Sequence, residues 1–188
     1  MEQSEKLNNY KKVEIDGETY IKLVDSWVDS MYITPPTTVL RKLLETEFAG
    51  IDIAAIEIKR LKAMISESKN AECYPMCLKF VDELIKRSLL SRDISEVTYC
   101  IPIKTACLRK INQPEDAIRF CEDMQRTHGK DILTIASLTS LAAAYCDIDE
   151  WDLALKTANR AYAMQGGGVG YTNELSMVFK RIEANTKK

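Results

Sequence analysis

The chain has 188 residues, 46% apolar and 29% charged, with a formal net charge of -2 and a pI near 5.6, which excludes a disordered or wholly membranous polypeptide. That balance also gives no global attraction to nucleic acid or anionic lipid. The longest weakly charged run, Ile132 to Cys146, is shorter than the roughly 20 residues a membrane-spanning helix needs, so no membrane span is expected.

The first residues, 1 to about 9, are polar and expected to fray. They lack the apolar region of a signal peptide, which places the protein in the cytosol as an expectation. Next, Asp16-Gly17 lies between the alternating segments Lys12–Ile15 and Glu18–Leu23. Asp-Gly supplies the two positive-φ residues of a tight hairpin turn, so this stretch predicts a small two-stranded hairpin that must lean on the following helices or on a partner. The segment from Val24 to Ile33 does not choose between strand and helix. Its bulky Trp27, Met31 and Tyr32 are expected to pack onto the first helix, and Pro35-Pro36 breaks the chain.

A helix is predicted from a capping Thr37 or Thr38 through Leu43, Leu44 and Phe48 to Gly50. Asp52 is placed to cap a second, with Ile53, Ile56, Leu61 and Ile65 as its core stripe. A third covers about 71–87. Asp93 and Glu96 form a capping box for a fourth that runs to about Lys110, in which Pro102 predicts a kink or a late start. Asn112, Pro114 and Glu115 open a fifth, which ends at His128-Gly129. Two more span Asp131–Cys146 and Asp149–Gln165. After the glycine-rich turn 166–170, Leu175, Val178, Phe179 and Ile182 mark a last helix over 173–183 that caps the array.

In the stretch from Leu138 to Gly166, large Leu138, Leu141, Tyr145, Trp151 and Leu155 alternate with small Ala142, Ala154, Ala158 and Ala161, so that two antiparallel helices can approach closely. This layout resembles the tetratricopeptide repeat (TPR), a helix-turn-helix unit of about 34 residues. Leu138, the pair Leu141 and Ala142, Tyr145, Ala154 and Ala161 meet the family's positions. Ala158 stands where the family usually has an aromatic residue and Gly166 where a proline often closes the unit. The octets beginning at Cys77, Ala117 and Ala154 align as second helices of three successive units, with decreasing fidelity toward the N-terminus. The resemblance implies a mainly α protein: a short right-handed stack of antiparallel helix pairs, a TPR-like α-solenoid over 37–188. The hairpin read from Asp16-Gly17 then belongs to an N-terminal extension, 1–36.

Little in the sequence supports catalysis. His128 is the one histidine and sits at a predicted helix C-terminus, where a partly charged imidazole favours the dipole. Cys73 and Cys77 are four apart on one helix, but no Cys-x2-Cys pair or second histidine completes a tetrahedral site, so neither metal nor cofactor is expected. The six cysteines read as reduced, buried, small apolar side chains. The glycine-rich turn follows a helix and precedes no Lys-Ser/Thr, which argues against a phosphate loop.

Binding is the more informative question. In stacked helix pairs the first helices line a concave face where peptides or partner helices lie. The TPR register points Tyr99, Pro102, Ala106, Arg109 and Lys110 of one unit, and Ala136, Thr139, Ala143 and Cys146 of the next, toward that face. Tyr99, Arg109, Lys110, Thr139 and Ala143 are its candidate partner-binding residues. Arg109 and Lys110 are placed to clamp a carboxylate of a bound segment, although long basic side chains at a helix end equally complement its dipole. Expected, then, is a non-catalytic scaffold or adaptor that binds a protein or peptide. The alternative is a nucleic-acid-associated accessory subunit using Tyr10, Lys11, Lys12, Tyr20 and Lys22 of the hairpin as an aromatic-basic platform. A third reading, an enzyme whose site is assembled with another chain, has almost no support in the residues, although a small chain can be the regulatory half of a catalytic complex.

Overall fold

A computed structural model describes residues 10–23, 26–166 and 172–186; the fraying expected of residues 1–9 and most of the glycine-rich turn lie outside them. The chain forms two compact units, Met1–Cys77 and Leu78–Lys188, so the boundary expected near residue 36 falls inside the first of them. Mainly helical, the protein carries a small antiparallel sheet near its N-terminus. No helix among the described residues is long and apolar enough to cross a membrane.

The first unit opens with β1 (Lys12–Ile15) and β2 (Glu18–Leu23), joined at Asp16 (φ 53°) and Gly17 (φ 85°), the two left-handed residues the hairpin turn requires. A third strand, β3 (Ser26–Val28), pairs with β2, so the expected two-stranded hairpin is part of a three-stranded sheet of order β1-β2-β3. Trp27 lies opposite Lys22 in that pairing and is buried. Met31 and Tyr32 correct the expected packing, because both are exposed. Asp29 closes a tight loop by accepting from the Met31 and Ile33 backbone N–H groups (2.8 and 2.9 Å), which turns these side chains outward.

Helix α1 (Thr37–Phe48) buries Leu43, Leu44 and Phe48. Its capping position is Pro36 rather than a threonine, and Thr37 is already helical. Asp52 caps a single 3-10 turn, Ile53–Ala55, in place of the long helix expected there, and α2 spans Ile58–Asn70 with Leu61, Met64, Ile65 and Ser68 buried. β1 and α2 both pack on α1.

Helix α3 (Tyr74–Ser91) leads into the second unit, which continues with α4 (Ile94–Lys110), α5 (Pro114–His128), α6 (Ile135–Asp147), α7 (Trp151–Met164) and α8 (Asn173–Thr186). Asp93 caps α4 by accepting from the Glu96 N–H (3.2 Å), and the helix runs unbroken past Pro102, so the late start is excluded. A 3-10 turn at Lys130–Ile132 delays α6, which Thr134 caps. α4 packs against α5 and α6, and α6 packs against α5, α7 and α8. Burial along these helices follows the octet alignment. Cys77 and Val81, Ala117 and Cys121, and Ala154 and Ala158, its first and fifth positions, are all 0% exposed.

Four helices end the same way. Glu72, Arg92, Asn112 and Asp149 have φ between 54° and 62°. The N–H groups of the following residues, Cys73, Asp93, Gln113 and Glu150, donate to the carbonyls of Ser68, Ser88, Leu108 and Tyr145 at 2.8–3.0 Å. These are Schellman closures, normally made with glycine at the left-handed position. A side chain there costs about 1 kcal/mol. Arg92→Gly, on an exposed residue, is therefore expected to raise stability by about 0.5–1 kcal/mol in chemical denaturation; a loss of stability would show that the Arg92 side chain itself holds the turn.

Candidate partner-binding face

The residues singled out from the sequence separate into two groups. Tyr99 is exposed on α4, about 15 Å along the helix from Arg109 at 1.5 Å per residue. Pro102 and Ala106 are half-buried, Lys110 is exposed, and Ala136 is exposed at the start of α6. Thr139, Ala143 and Cys146, by contrast, are buried in the helix packing, 2–7% exposed. The Thr139 hydroxyl donates to its own helix at the Ile135 carbonyl (2.8 Å), so its one donor, the O–H, is already used within the helix. Where a groove lined by these side chains is expected, α6 presents a floor of small, nearly covered residues.

Charge gathers at one end of this face. Arg109, in the last turn of α4, donates through Nε to Asp147 Oδ2 at 2.6 Å, and Arg181 of α8 donates through Nη1 to Asp147 Oδ1 at 2.8 Å. Asp147 is the last residue of α6, so its one carboxylate joins three helices. Lys110, Asn112 and Pro114 complete a surface cleft of about 380 Å³ around them. Three cations and one carboxylate line it, leaving a net positive charge that Asp147 orients without neutralising. The sequence pointed to Arg109 and Lys110; it gave no sign of Asp147 or Arg181, whose meeting depends on α8 packing beside α6.

Compared with known proteins, the chain matches no family model, no curated protein and no solved structure.

Tyr145 of α6 donates to Glu122 Oε1 of α5 at 2.9 Å, and burial, then this carboxylate, raise its phenol above the ordinary range. All six cysteines are buried thiols. Burial pushes Cys121, which lies 3.1 Å from the Thr105 hydroxyl, up to about 11, far from the thiolate a nucleophile needs. Among the described residues no group of three or more His, Cys, Asp or Glu side chains is placed to hold a metal ion.

The platform expected of the hairpin is not assembled as one surface. Tyr10, Lys11 and Lys12 are exposed, but Tyr20 is buried. Lys22 points into the first unit, where Nζ donates to Glu47 Oε2 (3.2 Å) and Glu67 Oε2 (3.1 Å). Arg60 bridges the other oxygens of the same two carboxylates, at 3.2 and 2.8 Å, closing a ring of alternating charge. The Trp27 indole N–H also donates to Glu47 (2.9 Å).

Proposed function

We propose that this protein is a non-catalytic interaction scaffold, a short TPR-like right-handed array that holds an acidic segment of a partner protein against the α4–α6 face, and that it acts in the cytosol. One observation carries the reading: Arg109 and Arg181, from separate helices, converge on Asp147 beside the exposed Lys110. A guanidinium already held by one carboxylate is pre-oriented to donate its remaining N–H groups to another, and the nearby ammonium supplies attraction without a fixed geometry. The exposed Tyr99 lies far enough along α4 to take an apolar side chain a few residues away on the same extended segment, at about 3.3 Å per residue. Support for the TPR-like stack comes from the burial shared by the three octets and from the repeated turn closure. The six buried thiols accord with a reducing compartment.

The test is fluorescence anisotropy with a labelled Glu/Asp-rich peptide. Replacing Arg109 and Lys110 together by Gln removes two positive charges without setting a new carboxylate against Asp147. The double variant is expected to keep its circular dichroism and melting profile and to bind about tenfold more weakly or worse, a loss of about 1.4 kcal/mol. Binding by the native chain should also weaken as salt rises. Equal affinity of variant and native chain would move the binding face elsewhere.

A further inference from the structure

The first unit contains a half-open pocket of about 180 Å³, with Ser26, Thr34 and Asn70 exposed at its rim, that shares no residue with the face described above. Trp27, Leu40, Leu44 and Ala71 give it apolar walls; Lys22 and Glu67 supply charge, and Ser26, Thr34 and Asn70 complete its lining. Its charged side belongs to the ion ring, whose two cations and two carboxylates sum to zero. A charged guest would bring an uncompensated charge against side chains only 10–12% exposed, which the low local dielectric penalises. A neutral guest meets no such cost.

The hydrogen-bonding capacity left in the ring says which neutral group fits. Lys22 Nζ has three N–H donors and meets two acceptors, Glu47 and Glu67, among the described residues. The Glu67 carboxylate receives one bond on each oxygen, from Lys22 and from Arg60, and a carboxylate has about four acceptor sites in all. Lys22 Nζ thus keeps one N–H donor and the Glu67 carboxylate about two acceptor sites, on atoms that are themselves 3.1 Å apart on the same charged side. A carboxamide carries the complementary pair, a carbonyl oxygen for Lys22 and an N–H for Glu67. A buried cavity of about 150 Å³ holds a benzene ring. This pocket therefore has room for a single six-membered ring bearing one small polar substituent.

We infer that the first unit binds a small neutral carboxamide, with its single ring against Trp27, Leu40 and Leu44 and its amide between Lys22 and Glu67. The probes are benzamide, benzoate and benzylammonium, titrated into the full chain carrying Trp151→Phe, so that the remaining indole N–H cross-peak in ¹H–¹⁵N spectra reports on Trp27 alone. Benzamide is expected to shift that peak saturably at millimolar concentration, and the two charged analogues to bind about tenfold more weakly or worse. Leu40→Phe, which fills the pocket from a half-buried position, and Asn70→Phe, which obstructs it from an exposed one, should each abolish the shift while leaving thermal melting unchanged. The inference is overturned by any of three results: no saturable shift with benzamide, equal binding of benzoate or benzylammonium, or a benzamide response that survives both pocket variants.

Discussion

Replacing Glu47 with Ala is expected to cost the first unit about 3–5 kcal/mol, the range for breaking a buried ion pair from one side. Glu47 receives Lys22, Arg60 and the Trp27 indole at once, and its own side chain is 12% exposed. Its removal leaves the Lys22 ammonium, 10% exposed, with Glu67 as its single carboxylate and strands the indole N–H in the core. The ring fastens β2 to both helices, so the loss should appear as early release of the sheet from α1 and α2. Urea unfolding followed by Trp27 fluorescence in a Trp151→Phe background measures it, with Glu45→Ala, an exposed neighbour on the same helix, expected to lie within about 0.5 kcal/mol of its parent. If Glu47→Ala unfolds at the same urea concentration as Glu45→Ala, the ring does not fasten the sheet.

The second large effect is expected at Ala154. Ala142 of α6 and Ala154 and Ala158 of α7 are fully buried, and the two helices pack together. Indole at position 154 has no space to enter, and Ala154→Trp should cost about 1–3 kcal/mol or more through overpacking. Leu155→Trp, one residue on and 40% exposed, adds the same side chain toward solvent and should be nearly neutral. Thermal melting by circular dichroism separates the two. Similar melting of both variants would contradict the TPR register, since that register assigns the close helix approach to position 154 and not to 155.

The parts of this fold that were legible in the sequence are those specified by local chemistry. Asp16-Gly17 announces its turn because few other dipeptides supply two left-handed residues, and Leu138–Ala161 shows its helical hairpin because large and small residues alternate at helical spacing. Pro114 and Gly129 bracket α5 for similar reasons. What was not legible depends on residues far apart in sequence or on a local rule broken. The four Schellman closures use Glu72, Arg92, Asn112 and Asp149, so no glycine marks them. The ion ring joins β2, α1 and α2, and only the seven-residue spacing of Arg60 and Glu67 on one helix hints at it. Lys22 looked like half of an exposed basic-aromatic strand because alternation tells which residues share a face and not which face is covered. The same limit applies at the candidate binding face. Arg109 and Lys110 stood out at the end of their helix, whereas Asp147 and Arg181 acquire their meaning from the packing of α8 beside α6. Thr139 and Ala143 were placed correctly on their helix, but their burial depends on neighbours that the register alone does not position.

The most direct test of the scaffold reading is an affinity purification of the tagged full chain from its own host lysate, with and without nuclease, run beside the Arg109→Gln, Lys110→Gln variant and read by mass spectrometry. Expected is one dominant protein partner that survives nuclease, contains an acidic segment and is lost or strongly depleted with the variant. A partner set that disappears on nuclease treatment, or a dominant protein recovered equally by the variant, would contradict the scaffold reading.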